Sequence, residues 1–270
     1  MKKLAYLITF LIALASCEEV VELDLNSGQS RLVIDARIEL RANGSTNAVV
    51  LLTRSADFYV EQNPQVTDAR VVVIDENGIE YNFNHEGDGI YINRTLEVEE
   101  DVEYTLDIED QGQVYTSTEI LISTIPLVEV QQETITGFGD DLLRLTAFYN
   151  DPSGLGDFYL FEYEDNFNRQ VDIGDDEFLD GNRAPTIFFI EDFEEGDTAT
   201  IKINGIDQRC YTFYETLLGQ DGGGGNPFDA PPANVRGNII NASDADGFPF
   251  GYFRISQVFE IDYVIQSTEE

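Results

Sequence analysis

Short runs of alternating apolar and polar residues, separated by turn signals, constrain the fold of this chain more than any other feature of its sequence. Arg31–Ile38 and Ala48–Thr53 are short and rich in β-branched residues, as strands are. The runs Ala69–Asp75 and Ile79–Phe83 flank the dipeptide Asn77-Gly78. Because Asn and Gly tolerate a positive φ, this dipeptide predicts a tight hairpin turn.

The same alternation continues further along the chain and gives about seven strands in all. The later runs are Gly89–Tyr91, Val102–Ile108 and Gln113–Ser117, and Asp110-Gln111-Gly112 turns the last pair. Short strands with turn signals about every ten residues are typical of a β-sandwich. We therefore predict an immunoglobulin-like or fibronectin-like sandwich for this part of the chain.

The second half of the sequence is also mainly β. Leu142–Tyr149, Phe158–Tyr163 and Asp197–Ile203 alternate in the same way. Two further runs, Gly251–Ser256 and Val258–Ile265, predict a pair of terminal strands. This half therefore also predicts a β-rich domain.

One segment has a helical rather than a strand pattern. Its apolar residues recur at the three- and four-residue spacings of a single helix face: Ile206, Cys210, Phe213, Tyr214, Leu217 and Leu218. Asp207 can cap the start of such a helix, and Gly219 can end it. The spacing predicts a helix over 207–218.

Pro126 indicates a domain boundary, because proline disfavours a central strand position. We predict an acidic tether over 17–29, an N-terminal β-sandwich domain over 30–125 and a C-terminal β-rich domain over 126–270 that contains the helix 207–218. A chain of 270 residues is long enough for two domains of ordinary size. The expected fold class is mainly β, with two β-sandwich domains and one short helix in the second.

The first residues of the chain predict export and lipidation. Lys2 and Lys3 precede the apolar run Leu4–Leu14, and Cys17 follows two small residues, which is the pattern of a bacterial lipoprotein. We expect a signal peptide over 1–16, cleavage before Cys17 and acylation of its thiol. One alternative is an ordinary secretory signal with a chance cysteine. A transmembrane anchor is disfavoured, because the apolar run is well below the roughly 20 residues that span a bilayer.

The charge of the chain excludes some partners. It has 52 Asp and Glu but 15 Lys and Arg, for a net charge of −37. Such a surface repels the phosphates of nucleic acids and anionic lipid headgroups, so we expect no nucleic-acid binding. It favours cationic ligands, metal ions or a basic partner surface, or it serves only to keep a secreted protein soluble.

The sequence predicts neither a catalytic centre nor a cofactor. With Cys17 acylated, Cys210 has no disulfide partner, and we expect it to be buried. His85 is the single histidine, so no second imidazole is available for a zinc site. No Gly-x-Ser-x-Gly motif occurs, and no carboxylate pair is distinguished among the many acids. We therefore predict a protein that is not an enzyme.

Two acidic segments resemble metal-binding loops only in part. Asp244-Ala245-Asp246-Gly247 begins like a calcium loop, but Ile255 stands at its twelfth position, where such a loop needs a glutamate. The second segment is Asp172–Glu177. Because Asp and Gly are common in turns, we expect solvated loops at both places and assign no metal, with calcium at Asp244 as the alternative.

Aromatic residues near the C-terminus are candidates for partner binding. Most of the 13 Tyr and 18 Phe lie in strand or helix patterns, where packing in the core is expected. Phe228, Phe248, Phe250 and Tyr252 instead surround loops. Exposed aromatic side chains there would form a partner-binding surface.

The order of several motifs identifies a family. They are the lipobox ending at Cys17, Leu32–Ala36, Thr53–Tyr59, Asp68–Val73, the helix segment Cys210–Tyr214, and the stretch from Pro227 to Phe253. In this order they resemble the domain-of-unknown-function 4249 family of Bacteroidota-type lipoproteins, over nearly the whole mature chain. The resemblance implies an outer-membrane lipoprotein, often encoded beside a TonB-dependent receptor, without an established activity or agreed catalytic residues. Glu18 and Glu19 also resemble the acidic signal that directs such lipoproteins to the cell surface.

We therefore expect an outer-membrane lipoprotein, lipid-anchored on the extracellular face, that serves as accessory or substrate-binding partner of a TonB-dependent transporter. Its ligand is unknown. One alternative is a structural or adhesive surface module, for which tandem sandwiches are a common scaffold. A second alternative is a surface hydrolase that uses a pair of carboxylates.

Overall fold

A computed structural model of the protein describes residues 30–56, 62–135, 142–221 and 234–267. Within these ranges the chain is mainly β. The strands of the first half are β1 (Leu32–Arg41), β2 (Thr46–Arg54), β3 (Arg70–Asp75), β4 (Glu80–Gly87), β5 (Ile90–Asn93), β6 (Glu103–Asp110) and β7 (Gln113–Ile120). The later elements are β8 (Leu127–Ile135), β9 (Leu142–Asn150), β10 (Phe158–Glu164), β11 (Arg169–Asp175), β12 (Arg183–Ile190), β13 (Thr198–Ile206), α1 (Gln208–Asp221), β14 (Ile240–Asn241) and β15 (Phe250–Val264). The predicted sites Cys17, Glu18, Glu19 and Phe228 lie outside the described residues.

Strands β1 to β7 enclose the first core, and all seven were predicted. The strand order across them is β1-β2-β5-β4-β3-β6-β7. Strand β4 pairs with β3 through Glu80–Phe83 and with β5 from Asn84 onward, with a bulge between His85 and Gly87. Since β4 pairs with β3 along its first half and with β5 along its second half, it connects the strands on both sides of this core into one continuous sheet. Alternate residues of β1, β2, β3 and β6 point into this core.

Of two predicted hairpin turns, one has the expected backbone conformation and the other does not. Between β6 and β7, Gln111 and Gly112 have φ values of 51° and 75°, which makes the predicted two-residue turn. Between β3 and β4 only Gly78 has a positive φ, so the expectation for Asn77 was wrong. The Asp75 carboxylate accepts the N–H groups of Asn77 and Ile79 at 2.9 Å and forms a wider turn.

The second core lies between two sheets. The three-stranded sheet β12-β9-β8 faces the end of the large sheet formed by β11, β10, β13 and β15. Buried aromatic residues from both sheets meet here, with Tyr149 and Phe161 at 5.4 Å and Tyr163 and Phe188 at 5.4 Å between ring centroids. Strands β8, β11 and β12 were not predicted, although the β-rich character of this half was.

The last strand is shared by both cores. The two predicted terminal strands are one strand, β15, of 15 residues. Its first part, Phe250–Val258, pairs in parallel with β1, and its second part, Val258–Val264, pairs antiparallel with β13. Phe253 and Ile255 consequently lie in the first core, although they belong to the predicted C-terminal domain. The domain boundary at Pro126 stays a prediction.

Helix α1 begins almost where the sequence predicts but ends later. The Asp207 carboxylate accepts the N–H of Cys210 at 2.8 Å, which is the predicted N-cap. Gly219 does not end the helix, which continues to Asp221. Cys210 is buried as expected, whereas Leu217 is exposed, contrary to the predicted apolar face. No helix in the described ranges is long and apolar enough to cross a membrane.

A buried ionic cluster lies where the strands of the two cores meet. Arg254 on β15 lies 2.9 Å from a carboxylate oxygen of Glu162 on β10 and 3.4 Å from one of Glu39 on β1. Its guanidinium also donates to the amide oxygen of Asn204 on β13 at 3.1 Å. Burial favours the neutral carboxyl of Glu39, but the positive charges of Arg254 and Lys202 outweigh it, and the pKa of Glu39 is lowered. The cluster therefore ties four strands together at one point.

Candidate ligand-binding site

A cavity of about 340 Å³ lies between helix α1 and the segment Asn234–Asn238 that leads into β14. The helix contributes Arg209, Thr212, Phe213 and Thr216, which are spaced three and four residues apart and so share one face. Tyr252 on β15 completes the lining. The volume is at the lower end of the range of small-molecule pockets.

The aromatic part of the cavity consists of two contacting rings. Phe213 and Tyr252 lie 5.0 Å apart between centroids, in a tilted arrangement. Tyr252 is buried, and its burial raises the pKa of its hydroxyl well above the usual value. The two rings therefore provide a neutral, mostly apolar surface against which the body of a ligand can pack.

The structure places the predicted aromatic residues in different surroundings. Tyr252 lines the cavity. Phe248 and Phe250 are half-buried and pack edge to face at 5.7 Å, next to the cavity rather than in its lining. Phe228 lies outside the described residues. A role of these four residues in partner binding stays a prediction.

Two arginines hold Phe248 between them. The guanidinium carbons of Arg31 and Arg236 lie 3.8 and 3.7 Å from its ring centroid. Two such groups on one face would collide, so they occupy opposite faces of the ring. Arg31 donates to the backbone carbonyls of Asp246 and Phe248 at 3.1 and 2.9 Å. Arg236 is exposed at the cavity, and no described carboxylate lies within 4.0 Å of it.

The other basic residue of the cavity, Arg209, is paired. Its guanidinium donates to both carboxylate oxygens of Glu119 at 2.9 and 3.1 Å and to Asp207 at 2.9 Å. Burial raises the pKa of Glu119, although the hydrogen bond from Asn238 and the charge of Arg209 oppose that effect. Asn238 also donates to the carbonyl of Phe253 at 2.7 Å. The polar groups around Arg209 are thus occupied by one another.

No local sequence signal points to Arg236. It lies in an irregular segment, and its neighbours in the structure come from Phe248 and from the helix face that includes Thr216. Those contacts depend on long-range packing. Tyr252 was predicted as an aromatic residue exposed near a loop, but it is buried in β15 and lines the cavity from there.

A second cluster contains three carboxylates within 4.8 Å of one another: Asp151, Asp176 and Asp180. Backbone N–H groups at 2.7 to 3.0 Å hold them, from Gly181, Gly156 and Gly154 respectively. The hydroxyl of Tyr159 donates to Asp151 at 2.6 Å. Asp172–Asp175 belong to β11 and are half-buried, and Asp176 is buried, so the expectation that Asp172–Glu177 is a solvated loop was wrong. The carboxylates act here as acceptors that organise two loops.

The loop at Asp244 is organised by side chains of its own. The amide oxygen of Asn241 accepts the N–H groups of Ser243 and Asp244 at 2.9 and 3.0 Å, and Asp244 accepts the N–H of Asp246 at 3.1 Å. Asp244 and Asp246 are exposed. In the described part of the chain no third acidic or histidine ligand converges with them. The calcium alternative at this loop gains no support.

The described residues do not assemble a recognisable catalytic centre. Burial raises the pKa of the Cys210 thiol to about 12, and His85 instead contacts Tyr91 at 5.1 Å between ring centroids. No carboxylate from the described part of the chain lines the 340 Å³ cavity. Glu119 and Asp207 meet at a space of about 10 Å³, which is too small for a substrate. That the protein is not an enzyme stays a prediction.

The chain was compared with solved structures, with curated proteins and with models of protein families. A two-domain fibronectin type-III segment from chicken tenascin is 14% identical, covering 64% of this chain and 90% of that one, with a TM-score of 0.21. A chain described as a cytokine receptor complex is 12% identical, covering 65% and 86%, with a TM-score of 0.25. Scores this low carry no argument about function. No curated protein matches the chain.

The family comparison covers far more of the sequence. The model of a single family, described as "Domain of unknown function (DUF4249)", matches residues 18–262. The match begins directly after Cys17 and ends within β15, so it includes β1 to β14, the helix and all but the last two residues of β15. This chain therefore belongs to the DUF4249 family, as its motifs predicted.

Proposed function

We propose that this protein is an outer-membrane lipoprotein, anchored through Cys17 and displayed on the extracellular face, that serves as accessory or substrate-binding partner of a TonB-dependent transporter. The cavity between α1 and Asn234–Asn238 is the observation that carries the binding role. It combines contacting aromatic rings with a guanidinium that has no described carboxylate partner. Such a combination of apolar surface and a few polar groups is typical of small-molecule sites.

The position of the predicted anchor at Cys17 supports a role beside a membrane protein. The first strand, β1, begins at Leu32, shortly after the predicted tether. A tether over 17–29 spans at most about 45 Å when fully extended. The two cores consequently remain within reach of a transporter embedded in the same membrane.

Co-purification from cells tests the partnership. We expect a TonB-dependent receptor barrel to accompany the protein after extraction with a mild detergent. The Cys17→Ala variant, which lacks the acylated thiol, is the matched control and should leave the membrane fraction. Repeated isolation of the wild-type protein without any receptor barrel would count against the proposal.

Surface display requires a separate test. Protease added to intact cells should remove the wild-type protein from the membrane fraction. Replacing both Glu18 and Glu19 by Ala should protect it, if these residues direct it outward. Equal digestion of both forms would contradict the assignment of these two residues, and protection of both would contradict the outward location.

A structural or adhesive surface module is the second candidate. Strand β12 is an edge of the three-stranded sheet, and it exposes Ile187 and Phe189. Exposed apolar residues on an edge strand favour contact with another surface. Deleting the receptor gene discriminates between the two roles, because an adhesive module would remain at the surface and retain its adhesion.

A further inference from the structure

We propose that the cavity beside α1 binds a small organic carboxylate, with the carboxylate on Arg236 and the body of the molecule on Phe213 and Tyr252. The inference rests on the proposed binding function and names its ligand class. A carboxylate attached to a ring or apolar body could belong to an acidic sugar or to the C-terminus of a short peptide. Both sources share the chemistry that the cavity offers.

Stacking on Phe248 orients the guanidinium of Arg236 for binding an anion. This guanidinium stacks 3.7 Å from the ring centroid of Phe248, which fixes the plane of the group and keeps its N–H edges clear of that ring. Eight other arginines have a carboxylate within 4.0 Å: Arg37, Arg54, Arg70, Arg94, Arg144, Arg183, Arg209 and Arg254. In a chain with 52 acidic residues, Arg236 has no such partner among the described residues.

The other donors of the cavity are largely engaged inside the protein. The hydroxyls of Thr212 and Thr216 donate to helix carbonyls at 2.9 and 2.8 Å. Glu119 and Asp207 hold Arg209. Of the two guanidinium groups in the lining, that of Arg236 is the one without a described carboxylate partner, and a carboxylate matches its paired N–H groups with two parallel hydrogen bonds.

The acidity of the whole chain does not exclude an anionic ligand at this place. None of the described residues that line the cavity is an Asp or a Glu. Distant charges are screened over about 8 Å at physiological ionic strength. A second guanidinium, that of Arg31, lies across the Phe248 ring from Arg236 and has no described carboxylate partner either. The local surroundings are thus more positive than the net charge indicates.

The rest of the cavity limits the ligand to a small molecule. A volume of about 340 Å³ has no room for a folded partner. The contacting rings of Phe213 and Tyr252 give a face on which a sugar ring or an apolar side chain can stack. Gly237 is also confined, because a Cβ there would lie 1.7 Å from the carbonyl oxygen of Gly251. This wall of the cavity is consequently fixed in position.

Isothermal titration calorimetry of the full protein with four probes tests the inference. The acids are digalacturonate and N-acetyl-Gly-Gly-Phe, and their neutral counterparts are the dimethyl ester of the first and the C-terminal amide of the second. We expect at least one acid to bind with a Kd below about 1 mM, and its neutral counterpart at least about tenfold more weakly. The acid that binds distinguishes an acidic sugar from a peptide carboxylate.

Two variants assign the binding to the proposed residue. Arg236→Gln should raise the Kd of the acid at least about tenfold without changing the melting temperature of the free protein. Arg41→Gln is the matched control, because Arg41 pairs with Val258, about 20 Å along β15 from Tyr252, and has no ion pair among the described residues. It should bind within about twofold of the wild type.

Three results would overturn the inference: no binding of either acid at about 5 mM, equal binding of an acid and its neutral form, or unchanged binding by Arg236→Gln. These outcomes are separate from the receptor experiment. If a receptor co-purifies but the protein binds neither acid, the transporter partnership is supported and the carboxylate ligand is contradicted. Carboxylate binding without a receptor would do the reverse.

Discussion

At the scale of single residues, the charges that this protein buries depend on exact pairing. Arg254 is almost fully buried, and burial would lower the pKa of its guanidinium. The charges of Glu162 and Glu39 instead hold that pKa above its usual value. A buried ion pair adds little stability in comparison with apolar packing, but removing one partner leaves an unpaired charge. Loss of a single partner in this cluster should therefore destabilise the protein strongly.

Arg254→Met should destabilise the protein by about 3–5 kcal/mol, because Glu39 and Glu162 lose their partner. Urea denaturation at pH 7 measures this change. Arg70→Met is the control, since the exposed pair of Arg70 and Glu80 should contribute less than about 1 kcal/mol. Adding Glu162→Gln to Arg254→Met should restore part of the loss. Equal effects of the two arginine variants would contradict the pairing argument.

Asp157 is a carboxylate whose ionisation opposes folding. Burial raises its pKa, and repulsion from Asp151, Asp176 and Asp180 adds to the rise. The folded state therefore holds its proton to a higher pH than the unfolded state does. The free energy of unfolding therefore falls as the pH rises from the pKa of Asp157 in the unfolded state to its pKa in the folded state. At any higher pH the whole loss of stability is present.

Asp157→Asn should consequently stabilise the protein at pH 7, by on the order of 0.5 kcal/mol after discounting for solvent screening. The gain should disappear below the unfolded pKa, where the carboxyl is protonated in both states. Urea titrations at pH 7 and at the lowest pH that permits folding measure it. Glu100→Gln, at an exposed position, is the control and should change little. Destabilisation at pH 7 would show that the Asp157 carboxylate has a favourable role.

Cys210 should resist alkylation in the folded protein. Its thiol is buried, and with a pKa of about 12 only on the order of one molecule in 10⁴ carries a thiolate at pH 8. Iodoacetamide should label it in denaturant but not in buffer, as measured by mass spectrometry. Ser267→Cys places an exposed thiol just after β15 as a positive control. Rapid labelling of native Cys210 would contradict this packing of α1.

At the scale of elements, β15 shows why strand patterns in a sequence can mislead. Tyr252–Ser256 are all buried, because this part of the strand is covered on both faces. The two-residue alternation is lost there, and the run was therefore divided at Gln257 into two predicted strands. The polar character of Arg254 and Ser256 gave no indication of burial, since their surroundings come from other strands.

Other elements followed their local signals to different degrees. The Gln111-Gly112 turn and the Asp207 cap were predictable, because each depends on a few adjacent residues. The end of α1 was not, since glycine permits the end of a helix without requiring it. Strand β12 alternates in burial but contains Pro185, which argues against a strand in a sequence and is accommodated here at a sheet edge.

Gly251 lets β15 pass close to β1. Its φ is 100°, and a Cβ there would lie 1.9 Å from the carbonyl oxygen of Ile34. Gly251→Ala should destabilise the protein by more than about 2 kcal/mol, through both backbone strain and collision. Gly196→Ala is the matched control, with a φ of 90° but nothing within 4 Å of the added Cβ. Similar losses of unfolding free energy in the two variants would mean that strain alone is responsible.

At the scale of the whole molecule, the candidate site depends on contacts that no local pattern contains. The cavity needs α1, the segment Asn234–Asn238 and Tyr252 together, and these belong to three separate segments of the chain. The sequence singled out Tyr252 as an exposed aromatic residue near a loop, whereas it is buried in β15, and gave no indication of Arg236. Asp176 was likewise expected in a solvated loop, although the backbone N–H of Gly156, 20 residues away, holds its carboxylate in a buried position.

The two cores should unfold together, because β15 crosses both and Arg254 joins β1, β10 and β13. Leu52→Ala in the first core and Ile201→Ala in the second should each cost about 2–5 kcal/mol, since both side chains are fully buried. Hydrogen exchange measured by mass spectrometry can follow peptides from β6 and β9 separately. In a cooperative unit, either variant lowers protection in both peptides by the same free energy. If each variant affected only the peptide of its own core, β15 would connect two independent domains, and the boundary predicted at Pro126 would be supported.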